Sequence, residues 1–371
     1  MPVPRPPIRC GIIGTGGIAN AHAHALTELG GRAELTAVAE IDPARAADFT
    51  GRFPVPAVYG DAEVMLEKER LDLVHICTPP KTHVPLAIAA MRAGVPALVE
   101  KPTALSLAEM DELVEVEAET GVPVLTVFQH RFGPAAVRLR RLVSSGVLGR
   151  PLVATCETLW FRDDAYFDVP WRGRWEVEGG GPTMGHGIHQ FDLLLSVLGP
   201  WTELTALAGR LSRPTDTEDV SMALARFENG AMATVINSVV SPRETSRLRF
   251  DFEHATVELE HLYGYREADW RFTPAPGHED LSELWLAGDE PDLESGHRLQ
   301  IEAVVDALAA GTEPGVSLAE ARRTMEFAAA TYASAFQGRP IGAGQITRND
   351  PFNRSMDGGA VPWAPLKETT A

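Results

Sequence analysis

The chain has 371 residues, 44% hydrophobic and 23% charged, with a formal net charge of −18 at pH 7. That length exceeds one ordinary core, so two domains are expected. The acidic balance argues against nucleic acid or an anionic membrane as the main partner, while leaving room for a locally positive pocket that takes an anionic ligand. Cys10, Cys77 and Cys156 form no CxxC pair, which gives no zinc or disulfide framework and suits a reducing cytoplasm. The start, "MPVPRPPIRC", has no apolar signal core, and no apolar run reaches the roughly 18 residues of a membrane span, so a cytoplasmic protein is expected.

In chain order, "IRCGIIG" is a buried strand, "IANAHAHALTEL" a helix and "AELTAVAE" a strand, and a helix follows from Pro43. "LDLVHICTP", "PALVE" and "VPVLTVF" are further strands, separated by the helices "THVPLAIAAMRAG" and "SLAEMDELVEVEAETG", the latter with a Ser106–Glu109 capping box. Regular alternation predicts an α/β domain at 1–130, a doubly wound parallel sheet. A helix spans 132–146. Hairpin-like strands then dominate, with "ENG" at 228–230 as a turn, before helices return at 294–310 and 318–337. Residues 131–342 are therefore expected to form an α+β domain with an open, mostly antiparallel sheet, and 343–371 an irregular tail.

The first strand ends in "GIIGTGGIAN". Gly14-x-Gly16-x-x-Ala19 between a strand and a helix fits the dinucleotide fingerprint, with Gly17 and Ile18 in the same turn. Glu40 ends the second strand, where an acid would hold the ribose hydroxyls and repel a 2′-phosphate, so NAD is expected over NADP; Asp42 is the fallback acid, and Arg45 keeps NADP open. His22 and His24 are two apart on one helix and read as packing or surface residues. "CTPPKTH" and "VEKP" follow two strands at their carboxyl ends, where ligands of open α/β sheets bind, which places Lys101 at the rim where a nicotinamide would lie, with Glu100 before it. Glu100 could tune the charge of Lys101.

"GGGPTMGHGIHQFD", residues 179–192, reads as a helix entered through Pro182. At 100° per residue, Met184, Ile188, Phe191, Leu195 and Leu198 make an apolar stripe; Gly185, His189, Asp192 and Ser196 lie beside it. His186 points about 60° away from His189 unless the first turn is irregular. No third metal ligand is evident, so no metal is expected. The preceding "YFDVPWRGRWEVE" offers Trp171 and Trp175 as sugar platforms and Arg172 and Arg174 as anion clamps; Tyr166, Asn237, Arg243 and His297 are further pocket candidates.

GxGxxA, "TPPKTH", "EKP" and "GGG…GIHQFDLL", in that order and with "LVSSGVLGRP" at 142–151 and "HRLQIEAVVDAL" at 297–308, resemble the glucose–fructose oxidoreductase / inositol dehydrogenase / rhizopine-catabolism (Gfo/Idh/MocA) family over nearly the whole chain up to about residue 342. The resemblance implies an N-terminal Rossmann domain and a C-terminal domain that binds substrate and forms a homodimer or homotetramer through its sheet. It also implies hydride exchange between NAD(P) and a sugar or polyol hydroxyl. By it, Lys101 matches the active-site lysine, His189 the acid–base histidine and Asp192 an acid that often contacts substrate; Thr78 and Pro79 match the loop over the cofactor, and His83 belongs to that motif. Many dehydrogenase members carry an aspartate four residues before the histidine, where this chain has Gly185.

On this basis His189 is the expected base, Lys101 the donor that polarises the substrate oxygen and Asp192 a substrate anchor, with His186 as a further acid–base candidate and Tyr166, Trp171 and Arg172 on the substrate. Two other functions compete. An NAD-dependent glycoside hydrolase would oxidise C3 transiently, eliminate the aglycone, add water and return the hydride. A non-catalytic NAD-binding sensor or repressor would use the same fold without chemistry.

Overall fold

The structure is a computed structural model that describes residues 6–169, 171–288, 291–313, 315–359 and 361–366. It divides into two compact units. The first comprises the described parts of Met1–Ala104, Ala108–Val127 and His297–Arg322, the second those of Leu105–Leu107, Phe128–Gly296 and Arg323–Ala371. Residues 297–322, placed by the sequence in the second domain, thus cluster with the first. Residues 343–371, expected as an irregular tail, hold a short helix, Pro351–Arg354, and the last five of them lie outside the described residues.

The first unit is built on six strands: β1 (Ile8–Ile13), β2 (Ala33–Ala39), β3 (Ala57–Tyr59), β4 (Leu73–Ile76), β5 (Ala97–Val99) and β6 (Val124–Thr126). All pair in parallel, in the order β3-β2-β1-β4-β5-β6. This is the doubly wound dinucleotide-binding order. The strands read as continuous apolar runs because helices cover both faces: every residue of β4, β5 and β6 is buried. Asp42 caps the helix Pro43–Arg52 by accepting from the N–H groups of Ala44 and Arg45, with a proline at the first helical position. Ile301, Val304 and Val305 of the helix His297–Ala310 complete the core with Cys10, Ile12, Ala19 and Leu26, which is why this late segment belongs to the first unit.

The second unit carries β7 (Pro151–Phe161), β8 (Trp201–Gly209), β9 (Val220–Phe227), β10 (Met232–Ser238), β11 (Val240–Phe252), β12 (Ala255–His261), β13 (Trp270–Pro274) and β14 (Ile341–Gly342). They form one open sheet in the order β13-β12-β11-β7-β10-β9-β8-β14, antiparallel except for the parallel pair β7/β10. Here burial alternates. In β9, Ser221, Ala223, Ala225 and Phe227 are buried while Met222, Leu224 and Arg226 are exposed. One face therefore packs on a core and the other meets solvent. The helix Ile188–Leu198 lies on the inner face against β7 and β11, and its predicted apolar stripe from Met184 to Leu198 is buried throughout.

Candidate functional site

In the first unit the chain turns sharply after β1. Gly14 sits at φ +84°, and its N–H donates to Ala39 O at 2.8 Å. A Cβ there would stand 2.8 Å from the Thr78 methyl, so both the turn and its neighbour require glycine. Gly16 and Gly17 face open space: a Cβ on either would meet nothing within 4 Å. The helix Ala19–Glu28 starts directly behind them with no acid in its first turn. A pyrophosphate fits this cradle, where free N–H groups and the helix dipole both favour an anion.

Glu40, just past β2, braces the same turn. Its Oε2 accepts from Thr15 N at 2.8 Å and the Thr15 hydroxyl at 3.0 Å, and its Oε1 from Asp42 N at 3.0 Å. Burial pushes this carboxyl up, but the two backbone N–H groups and the hydroxyl outweigh it and hold the group below its ordinary value. A carboxylate has about four acceptor positions, so one remains for a ribose hydroxyl. The fallback acid Asp42 caps a helix and pairs with Arg45 at 3.1 Å, so neither residue is arranged to receive a 2′-phosphate.

At the rim, Pro79 is exposed and Thr78 partly so, while His83 is buried. The two ring nitrogens of His83 lie 2.8 Å from Pro102 O and from Thr78 O, so this side chain ties the "TPPKTH" loop to the "EKP" loop. Only an imidazolium satisfies both carbonyls, and burial, the larger influence, works against that charge and lowers its pKa. Lys101 follows β5 and is partly buried. Glu100 is 5% exposed and bonds to His22 and His297. This corrects two expectations. His22 is neither a packing nor a surface residue but a hydrogen-bonded member of a buried polar cluster. His297, expected in the substrate pocket, also belongs to this cluster.

The second unit holds the other candidates. The entry to the 188–198 helix is a single π-type turn, Thr183–Gly187, of the kind that often marks functional sites. The first turn is irregular after all, so an α-helical wheel does not describe His186. Its ring lies beside Trp160 (centroids 5.1 Å apart) and Tyr166 (6.1 Å). His189 is 3% exposed, with His130 at 5.1 Å and Tyr263 at 5.7 Å. Trp160 and Tyr263, 6.1 Å apart, join the two groups into one arc of aromatic rings from Tyr166 to His130. Gly187 lets this turn approach β10, because a Cβ there would collide with the Asn237 amide. At Gly185 a Cβ would meet nothing within 4 Å, so no steric reason excludes an acid at that position.

Other candidates move. Asp192 is 1% exposed, and both its oxygens serve the protein: Arg131 donates to them from Nε and Nη2 at 2.7 Å each, and Thr324 adds a hydroxyl at 2.8 Å. The expected substrate anchor is therefore half of a bidentate buried ion pair that fixes the helix. Arg172 stacks between Tyr166 (4.2 Å) and Trp171 (4.3 Å) and pairs with Glu178 at 3.2 Å, so these three expected substrate contacts form one platform. Trp175 does not join it; it packs on Tyr332 and donates to Asp216 O at 2.9 Å. Arg174 pairs with Glu176 at 3.5 Å, and Arg243 is a surface residue facing Glu260.

The sequence reading missed Glu218, His130, Arg131, Trp160 and Tyr263. Glu218 accepts from Gly181 N, Thr183 N and the Tyr332 hydroxyl, and so braces the glycine run from inside; burial raises its pKa. Trp160 lies on the inward-facing register of β7, as the alternation of that strand indicates. His130 and Arg131 share "FQHRF" directly after β6, a strand end that could have been flagged.

Comparison with known proteins agrees with both halves. Residues 8–128 match the model for an oxidoreductase family with an NAD-binding Rossmann fold, and residues 136–258 match the Gfo/Idh/MocA C-terminal domain; together they span about two thirds of the chain. A D-apiose dehydrogenase of Paraburkholderia graminis is 27% identical over 368 residues, covering 94% of this chain and 93% of its own. An inositol 2-dehydrogenase 2 of Paenarthrobacter aurescens is 28% identical over 332 residues, covering 85% and 91%. Among solved structures, the WlbA dehydrogenase from Bordetella pertussis, in complex with NADH and UDP-GlcNAcA, superimposes with a TM-score of 0.81 at 26% identity, over 91% of this chain and 98% of that one. The chain belongs to the Gfo/Idh/MocA family and is an NAD-dependent oxidoreductase whose relatives include sugar and cyclitol dehydrogenases.

Proposed function

We propose that this protein exchanges a hydride between NAD and a hydroxyl-bearing carbon of a sugar, glycoside or cyclitol, with His189 as acid–base and Lys101 as the donor to the reacting oxygen. The observation that carries the reading is His189 itself, an almost fully buried imidazole set in an arc of aromatic rings suited to a carbohydrate face. NAD, when bound, accepts the hydride at nicotinamide C4. The Gly14–Ala19 turn would hold its pyrophosphate and Glu40 a ribose hydroxyl. In oxidation the substrate O–H bond breaks as the C–H bond does. The proton passes to His189, an imidazole being the side chain suited to exchange a proton near neutral pH. The Lys101 ammonium donates to the same oxygen and favours its developing negative charge. In reduction His189 returns the proton.

The substrate class follows the relatives, which act on D-apiose and inositol by their names, and the Trp171–Arg172–Tyr166 platform admits an acidic sugar as well. The test is a panel of D-apiose, myo-inositol, a methyl glucoside and UDP-GlcNAcA with NAD, followed by NADH absorbance. Turnover of at least one supports the reading, and no turnover in either direction overturns it. A second reading, redox-neutral glycoside cleavage, is favoured by the His186–Tyr166 pair, which adds acid–base groups beyond His189. Free sugar released from the glucoside without net NADH would establish it; NADH accumulation would remove it.

We further propose a homo-oligomer through the outer face of the second sheet. Leu207, Met222 and Ile236 lie in cross-strand register, with Leu224 beside them and Met232 opposite Val153. Leu207 and Leu224 are 74% and 63% exposed. A contiguous apolar strip of this kind marks an interaction surface. Leu224→Glu should shift the enzyme to monomer in light scattering; an unchanged mass would remove this face as the interface.

A further inference from the structure

Inside the first unit, three histidines and one glutamate from four separate segments converge: His22 on the helix Ala19–Glu28, His75 on β4, Glu100 after β5 and His297 at the head of the helix His297–Ala310. Their exposures are 0, 0, 5 and 8%. Glu100 Oε1 lies 3.0 Å from His22 Nε2 and 2.8 Å from His297 Nε2, and Oε2 accepts the Lys101 backbone N–H at 3.1 Å. His22 Nδ1 lies 2.9 Å from His75 Nδ1.

The geometry dictates where the protons are. An ionised carboxylate only accepts, so both His22 and His297 donate from Nε2. A neutral His22 then presents a lone pair at Nδ1, and His75 donates to it from Nδ1. The relay runs one way, from His75 through His22 to Glu100, and leaves His75 Nε2 as the bare nitrogen at its far end, where it has no partner among the described residues. The same His22, Glu100 and His297 atoms lie within 4.8 Å of one another and could in principle hold a metal ion. Tetrahedral ligands at about 2.0–2.1 Å from zinc stand roughly 3.3–3.4 Å apart. The observed 2.8 and 3.0 Å are hydrogen-bond distances.

We propose that His22, His75 and His297 are positioning residues for Lys101: they clamp the Glu100 carboxylate with directed N–H bonds, and Glu100 fixes the peptide from which the Lys101 side chain projects. This rests on the reading of Lys101 as the oxygen-polarising donor. The titratable groups around Glu100 are His22, His75, His83, His297, Cys77 and the adjacent Lys101. Burial pushes the Glu100 carboxyl up, but the bonds from His22 and His297 overcome it and hold the group well below the carboxylate range. Burial keeps His22 and His75 lowered, hence neutral. His22 and His75 are thus neutral rings beside one anion.

Two measurements test this. Nitrogen-15 spectra of histidine-labelled enzyme at pH 7.5 should show His22 and His297 protonated at Nε2 and His75 at Nδ1; a doubly protonated His22, or His75 protonated at Nε2, overturns the relay. So does stoichiometric zinc in the purified enzyme. In kinetics with the best substrate of the panel, His297→Leu should lower kcat about tenfold, leave KM for NAD within twofold and move the acid limb of the pH profile upward. His297→Gln, which can still donate, should recover most of that loss. Equal impairment of both variants, or a loss confined to KM, overturns the proposal; if His297→Leu does not fold, the spectra decide. Lys101→Ala separates the two readings. Full activity in that variant sinks the role of Lys101, whereas an inactive Lys101→Ala beside a silent His297→Leu sinks only the positioning role.

Discussion

In the first unit a buried carboxylate, Glu100, lies between two imidazoles and a backbone N–H, whereas in the second a buried carboxylate, Asp192, meets a full guanidinium from Arg131 and a hydroxyl from Thr324. The sheets differ in the same sense. The parallel one is closed on both faces, and the antiparallel one leaves Leu207 and Leu224 in solvent. The cofactor half closes both sheet faces and gathers its buried histidines around one anion. The second unit fixes its helix with an ion pair and gathers its rings on one side, with apolar residues exposed on the outer face of its sheet. Two uses of a carboxylate follow: a hydrogen-bonded anion sets one backbone position, while an ion pair locks a helix in place.

The largest expected effect breaks the chemistry without touching the cofactor half. His189→Ala should lower kcat by about 10²–10⁴-fold, the range for a general acid–base group, with NAD affinity by fluorescence titration unchanged. A parallel loss of NAD binding would show that His189 does not belong to the substrate half alone. Next is the ion pair. Asp192→Asn leaves Arg131 buried beside a neutral amide, and breaking such a pair costs about 3–5 kcal/mol. The expected result is a large fall in Tm with loss of activity; a normal Tm with a raised substrate KM would return Asp192 to the role of substrate anchor.

The buried histidines give a smaller effect with a defined direction. His22 and His75 sit below their ordinary values because burial disfavours the charged ring. As pH falls through about 6.5 the unfolded chain takes up protons first, so stability is present above that pH and declines below it, by up to about 1.4 kcal/mol per pH unit for each ring. Glu100, held low, loses its contribution at still lower pH, as the pH falls through its folded value. In the second unit burial pushes His261 down to about 4, so the same linkage acts there below about pH 6.5 through one lowered ring, against His22, His75 and His83 in the first. The first unit should therefore loosen first, seen as earlier loss of hydrogen-exchange protection in β1, β4 and β5 between pH 7.5 and 5.5. Simultaneous loss in both units would contradict the contrast. The smallest effect is at Gly185. With open space for a side chain, Gly185→Asp should leave Tm within a degree or two and shift the pH dependence of kcat; a collapse in stability would show that the π-type turn requires glycine there.

Much of this architecture is legible in the residues. The Gly14–Gly16–Ala19 turn, the alternating strands and the apolar stripe of the 188–198 helix follow from local periodicity and from backbone needs that only certain residues meet. His22 was opaque because its partners, His75 and Glu100, lie 53 and 78 residues away, and spacing within its own helix says nothing about them. Asp192 was placed correctly on the helix, beside His189, but its partner Arg131 sits 61 residues earlier. The direction of His186 was left open on whether the first turn is regular, and the turn here is wider than the 3.6 residues that a wheel assumes.

The sequence by itself determined the dinucleotide cradle, the two sheet types and the apolar stripe of the 188–198 helix, because these depend on local backbone preference and on apolar periodicity. Only the tertiary structure decided which polar groups face one another. It made Asp192 the partner of Arg131, gave Glu100 to His22 and His297, and drew the 297–310 helix into the first core. Buried polar groups must find partners wherever the chain brings them, and that pairing is set by the packing of distant segments, which no local pattern encodes.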